Sequence, residues 1–264
     1  MINVIIPAYN CRATLGRTLA SLVAQTDTNF EVLVVDDCST EDIKSIVDDY
    51  RDKLHVIYIR NENNLGCGMS RQVGIDNATQ KFITFLDSDD MFMPYTVETF
   101  NSIIEANPNT EYLHSHFYEQ TVLNGDPVLY LWKDNYTACH GKLYNVDLIR
   151  KYGIRNSPEV KWADDSFFNS MCSELLTMST IAIPTMLWCN NKNSIMRRVD
   201  PIRDAKNKED FLNAMILSAE FVIQHKGYVE HLGDTIARMQ KSFSFSEEES
   251  AKINKLLNYK RSEL

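Results

Sequence analysis

Residues 63–90 read NNLGCGMSRQVGIDNATQKFITFLDSDD, and the order of residue types here decides the fold. The apolar spacing predicts a helix over 70–78. FITFL, at 82–86, is an unbroken apolar run and reads as a strand buried on both faces. It runs directly into Asp87-Ser88-Asp89-Asp90. The same alternation recurs upstream. Residues 2–7 read as a first strand, and Leu15, Leu19, Leu22 and Val23 predict a helix over 13–24 with Asn10 placed as its N-cap. FEVLVV at 30–35 is a second strand that ends at Asp36-Asp37. Ser39 or Thr40 can cap the next helix, whose apolar face is Ile43, Ile46 and Val47; residues 55–59 form a third strand. Such strands separated by helices imply an α/β fold with a mostly parallel sheet covered on both faces. Ligands of these sheets sit beyond the carboxyl ends of the strands. The acids at 36–37 and 87–90 both fall there.

After Pro94 the pattern changes. Helices are expected over 95–106, 147–152 and 165–176, and strands over 112–118, 128–131 and 181–188, the last broken at Pro184. From about 207 the chain reads as helical, and Ser246-x-x-Glu249 resembles a capping box for a last helix.

Of the 264 residues 44% are hydrophobic and 24% charged, so a sizeable core can be buried. The net charge of −9 argues against a general binder of nucleic acid or anionic membrane. That charge is uneven: residues 197–264 carry 12 basic and 11 acidic side chains. The six cysteines are scattered without a C-x-x-C pair and read as thiols. No apolar run approaches the roughly 20 residues needed to cross a membrane. With no signal peptide ahead of the first strand, a cytoplasmic protein is expected, with peripheral membrane contact left open.

Three carboxylates within residues 87–90 repel one another unless a cation sits among them. Mn²⁺ or Mg²⁺ bridging a diphosphate is the first candidate. A solvated acidic turn that caps the next helix is the other reading. Context favours the first. VIIPAYN (4–10), SLVAQT (21–26), FEVLVVDDCSTED (30–42) and the stretch 63–90 together resemble the family 2 glycosyltransferases, which have the GT-A fold. The family pattern across 64–90 is roughly N-x-G-x-x-x-A-R-N-x-G, then a strand and D-x-D-D. This chain departs from it at Ser70, Gln72 and Gln80, none of which removes a charged group.

The resemblance implies a GT-A domain over 1–204, with a nucleotide-binding half (1–100) and an acceptor-side half (101–204), followed by a C-terminal helical extension (205–264). It implies an inverting glycosyltransferase with a nucleotide-sugar donor, a UDP-sugar by preference. Pro7, Ala8 and Tyr9 would pack on the base, although an aromatic at Tyr9 also suits a core. Asp37 would accept from the base or cap a helix. Arg71 would bind phosphate or order a loop. Asp87 would reach the ribose or sugar, and Asp89 and Asp90 would hold the metal. The segment WADDSFFN (162–169) resembles the family's E-D-x-x-F-N, which makes Asp165 the general base. A shift of one residue would give that role to Asp164. His140 and Lys142 lie in a G-K-L-Y-like segment on the acceptor side, where packing competes with ligand contact. Arg197 and Arg198 follow a segment that resembles the family's N-S-I; one or the other would close over the diphosphate, unless both sit on a solvated loop. His114-x-His116 reads as a half-polar strand rather than a metal site. The acceptor expected is a glycan or lipid-linked intermediate, with a hydroxylated DNA base as the alternative. A sugar nucleotidyltransferase would need a Gly-rich loop after strand one, which PAYNCRATLG lacks; a non-catalytic nucleotide-sugar binder would have lost the acids.

Overall fold

The computed structural model describes residues 1–123, 126–190, 201–232 and 246–257. The chain alternates strand and helix from its start: β1 (Ile2–Ala8), α1 (Leu15–Val23), β2 (Phe30–Asp36), α2 (Lys44–Asp48), β3 (Val56–Arg60), α3 (Cys67–Asn77), β4 (Phe82–Phe85). There follow β5 (Met91–Phe92), α4 (Thr96–Ala106), β6 (Tyr112–Leu123), β7 (Asp126–Trp132), β8 (Lys142–Asn145), α5 (Val146–Tyr152), α6 (Asp164–Leu175) and β9 (Met178–Trp188). Two helices end the described chain, α7 (Pro201–Lys226) and α8 (Glu247–Leu257).

The described strands form one sheet in the order β3-β2-β1-β4-β8-β6-β9-β5, with β7 hydrogen-bonded to β6. β3, β2, β1 and β4 are mutually parallel, so their carboxyl ends share one edge. Beyond β4 the pairing is mixed: β8 is antiparallel to β4 and β6, and β9 is parallel to β6. The short strands β5 and β8 escape the sequence pattern because each holds too few residues to show a period.

Every residue of β1 and β2 is buried, which is why these strands read as continuous apolar runs. Val4, Ile6, Val32 and Val34 pack with Leu15 and Leu19 of α1 on one face. Ile5, Leu33, Ile83 and Phe85 pack with Ile75 of α3 and Phe168 of α6 on the other. Ala214, Met215, Ala219 and Val222 of α7 join that second core, so α7 is packed on the sheet's helical layer. No helix among the described residues is long and apolar enough to cross a membrane.

Local expectations fared unevenly. The Ser246–Glu249 capping box is present: Ser246 N donates to Glu249 Oε2 at 2.6 Å, and Glu249 N to Ser246 Oγ at 3.2 Å. Pro184 coincides with a register shift between β6 and β9. Asn10, however, does not cap α1, whose N-cap position is Thr14. Its Oδ1 accepts instead from Thr40 N at 2.8 Å and Glu41 N at 3.3 Å, and its own N–H donates to Ser39 Oγ at 3.0 Å. Ser39 and Thr40 are thereby engaged with the β1 loop and do not cap α2. The bond into the first turn of α2 comes from Asp42, whose Oδ1 accepts from Ser45 N at 3.1 Å.

Gly74 lets α3 lie directly on β1, since a Cβ there would stand 2.3 Å from Ile5 Cγ2. Replacing a helical glycine by alanine ordinarily stabilises by about 1 kcal/mol. Here overpacking of about 1–3 kcal/mol outweighs that gain. Gly74→Ala is therefore expected to lower the melting temperature, and calorimetry checks the sign.

Candidate active site

The carboxyl edge of the parallel strands carries the chemistry. Pro7 and Ala8 finish β1, and Ala8 is buried, but Tyr9 beyond them is 50% exposed and so is not a core aromatic. Asp36 is buried; burial opposes its charge, but hydrogen bonds from Ser39 and Tyr58 and the Arg60 guanidinium hold its pKa below the usual carboxylate value. Asp37 uses its carboxylate on the next loop. Oδ1 accepts from Asn61 Nδ2 at 2.9 Å and Leu65 N at 2.8 Å, and Oδ2 accepts from Gly66 N at 2.8 Å. It therefore does not cap α2. It fixes the turn at Gly66 (φ +89°), a conformation that suits glycine, from which α3 begins.

One turn into α3, Arg71 is 4% exposed. Its Nη2 donates to Asp87 Oδ1 at 2.7 Å. Its Nη1 donates to Asp164 Oδ2 at 2.5 Å and also to Asp165 Oδ1. One guanidinium thus joins the acid that ends β4 to the two acids that begin α6. Burial disfavours its charge, but Asp165 and Asp87 beside it keep it protonated. The two α6 acids differ. Asp164 is the more enclosed, its side chain 12% exposed against 26% for Asp165. Burial, then the Asp165 and Asp87 carboxylates, push the Asp164 pKa up despite Arg71. For Asp165 burial is outweighed by Arg71, by His140 and by the Cys139 N–H, which donates to its Oδ2 at 3.0 Å, so its pKa is lowered. Asn169, one turn further, donates to Thr137 O at 3.1 Å and accepts from the hydroxyls of Tyr112 and Tyr144 at 3.0 and 2.8 Å.

Across the cleft, Gly141 adopts φ +64°, and a Cβ there would meet Ser115 O at 2.8 Å. This tight turn brings His140 to the acidic loop. His140 Nε2 lies 3.3 Å from Asp90 Oδ2 and 3.9 Å from Asp87 Oδ2. Asp90 is fully buried; its Oδ1 accepts from Cys189 N at 2.8 Å, while Oδ2 has no hydrogen-bond partner among the described residues. Neither ring nitrogen of His140 has one either. Burial raises the Asp90 pKa, and the Asp90 carboxylate raises that of His140 against burial. Ligand atoms of Asp87, Asp90 and His140 all lie within 4.8 Å of one another. Asp89 is half-buried and stands outside this trio; its carbonyl accepts from Arg17 Nη2 at 2.5 Å.

The structure thus brings together Arg71, Asp87, Asp90, Asp164 and Asp165 of the residues singled out in the sequence, together with His140, which stands against the acidic loop. Lys142 is buried and its Nζ donates to Asn135 O at 3.0 Å and to Ala138 O, so it holds the loop before Cys139 rather than facing a ligand. Burial pushes its pKa down to about 8. His114 is also buried, with Nε2 3.0 Å from Lys133 O. Arg197 and Arg198 lie outside the described residues. His140 carried only a weak sequence signal, because its approach to Asp90 depends on the β6–β8 pairing.

Arg71→Met leaves these acids without their shared cation, at an expected cost of about 3–5 kcal/mol. Arg71 lowers the pKa of both Asp164 and Asp165, so both rise without it. A carboxyl whose folded pKa lies above its unfolded value of about 3.9 destabilises as pH climbs past that value. The deficit against the unaltered chain should be full at about pH 8 and shrink toward pH 4, as denaturant titrations at the two pH values would show.

Residues 3–154 match the sequence model of glycosyl transferase family 2. An uncharacterized glycosyltransferase of Haemophilus influenzae is 41% identical over 114 residues, which is 43% of this chain and 38% of that one. The poly(ribitol-phosphate) beta-N-acetylglucosaminyltransferase TarS of Staphylococcus aureus is 32% identical over 185 residues, 63% of this chain and 31% of TarS. The chain thus spans about a third of the length of these curated relatives. The crystal structure of TarS 1–349 in complex with UDP-GlcNAc superposes with a TM-score of 0.73 at 25% identity, covering 97% of this chain and 79% of that one. By its sequence match and its sheet, this chain belongs to glycosyl transferase family 2 and has the GT-A fold.

Proposed function

We propose that the chain is an inverting glycosyltransferase that moves a sugar from a UDP-sugar to a hydroxyl of a glycan or lipid-linked acceptor. The observation that carries this reading is the meeting at Arg71 of Asp87, at the end of a nucleotide-type parallel sheet, with Asp164 and Asp165 from a distant helix. Donor-side and acceptor-side acids thereby share one cleft. The likeness to TarS bound to UDP-GlcNAc supports uridine in the donor.

Asp165 is the general base in this scheme. It is the more exposed of the pair and is held ionised, so it is ready to take a proton. The acceptor oxygen attacks the anomeric carbon, its proton passes to Asp165, and the bond from that carbon to the diphosphate oxygen breaks with its electron pair leaving on the diphosphate. Asp164, whose pKa is raised, supports Arg71. Asp87, Asp90 and His140 suit a divalent cation, because their ligand atoms converge and, among the described residues, Asp90 Oδ2 and the His140 ring nitrogens make no hydrogen bond, Nε2 and Oδ2 only facing each other at 3.3 Å. Two carboxylates suit Mn²⁺ or Mg²⁺, and the imidazole favours Mn²⁺ of the two. Bound there, the cation would offset charge on the departing diphosphate. Pro7, Ala8 and Tyr9 flank the edge where the base would lie, and Asp37 orders the adjoining turn.

Two measurements test this. UDP should raise the melting temperature only when Mn²⁺ is present, and Asp90→Ala should remove that metal-dependent part. Asp165→Asn should still bind UDP with Mn²⁺ but release UDP from UDP-GlcNAc about 10²–10⁴ times more slowly. Wild-type turnover by Asp165→Asn would overturn the assignment, and the same loss in Asp164→Asn alone would move the base by one residue.

A further inference from the structure

α6 starts without a side-chain cap of its own, since its N-cap residue is Ala163. The N–H groups of Lys161, Trp162 and Ala163, just ahead of the acid pair, all point to one carboxylate on α7. Asp210 Oδ1 accepts from Lys161 N at 3.0 Å. Its Oδ2 accepts from Lys161 N at 3.1 Å, Trp162 N at 2.7 Å and Ala163 N at 2.9 Å. Asn213, on the next turn of α7, donates to Glu159 O at 3.3 Å. At the other end of α6, buried Glu174 accepts from the N–H groups of Glu230 (2.9 Å), His231 (2.6 Å) and Leu232 (2.8 Å). The helix that carries the acids is therefore fastened at both ends to α7 and the residues that follow it.

Hydrogen bonds to a charged acceptor are the stronger kind, and three N–H donors on one carboxylate fix a turn closely. Asp164 has little room to move: a Cβ on Gly68 would lie 2.7 Å from its Cβ. Displacement of a reacting group by about 1 Å can cost on the order of a hundredfold in rate. We propose that Asp210 is a positioning residue for sugar transfer, holding the turn from which Asp164 and Asp165 project so that α7 sets where the base stands. This rests on the reading of Asp165 as the base.

The test compares Asp210→Ala and Asp210→Asn with Glu174→Gln, which loosens the far end of α6. In Asp210→Ala, kcat for UDP release from UDP-GlcNAc with Mn²⁺ should fall at least about tenfold while KM stays within about twofold. Deuterium uptake should rise over residues 159–169 and not over the parallel strands. Asp210→Asn keeps one accepting oxygen and should be intermediate; it also carries the test if the alanine variant does not fold. Glu174→Gln should lower the melting temperature with little change in kcat. Unchanged kcat in both Asp210 variants, or equal kcat losses at matched stability in Glu174→Gln and an Asp210 variant, would overturn the proposal. Absence of UDP release by the unaltered chain from UDP-GlcNAc and from the other common UDP-sugars, or full turnover by Asp165→Asn, would instead sink the reading beneath it.

Discussion

Arg71 is the point on which the rest of the site depends. A buried guanidinium or carboxylate costs several kcal/mol unless each is paired, so the one cation and its three acids are stable only as a set. The acids come from two places far apart in sequence, and α3 must lie low on the sheet for the guanidinium to reach both. Two glycines permit this. Gly74 has Ile5 against the place of its absent Cβ, and Gly68 has Asp164. The motif around 63–74 is thus one steric solution: a turn held by Asp37, a helix start at Gly66, two positions without side chains, and an arginine between them.

What was legible in the sequence is what depends on near neighbours. Continuous apolar strands gave the parallel half of the sheet because a strand covered on both faces has no polar side to show. The capping box at Ser246 and Glu249 formed because its partners are three residues apart. Asn10 shows the opposite case. It has the chemistry of a cap and sits ahead of a helix, but the β2 loop offers it the N–H groups of Thr40 and Glu41, and that contact wins. His140 and Asp210 belong to the same class. Nothing in their local sequence separates a ligand-type histidine from a core one, or a turn-holding aspartate from a solvated helical acid. Their roles arise from strand pairing and from the packing of α7 on α6.

The order of the strands also has a mechanical side. β4 and β5 stand four places apart in the sheet, which in a flat sheet with strands about 4.8 Å apart is a gap of about 19 Å. The chain between Phe85 and Met91 could span about 20 Å only if drawn straight, at roughly 3.3–3.6 Å per residue. It is not straight, because Asp90 N donates to Asp87 O at 3.0 Å in a turn. The sheet must therefore bow until its far edge comes back over the middle, where the Cys189 N–H meets Asp90. The acidic loop acts like the string of that bow. Its length fixes the curvature, and the curvature fixes how far the carboxylates stand from the helix opposite. One added residue would slacken the string and leave every acid in the sequence while moving them out of reach of one another.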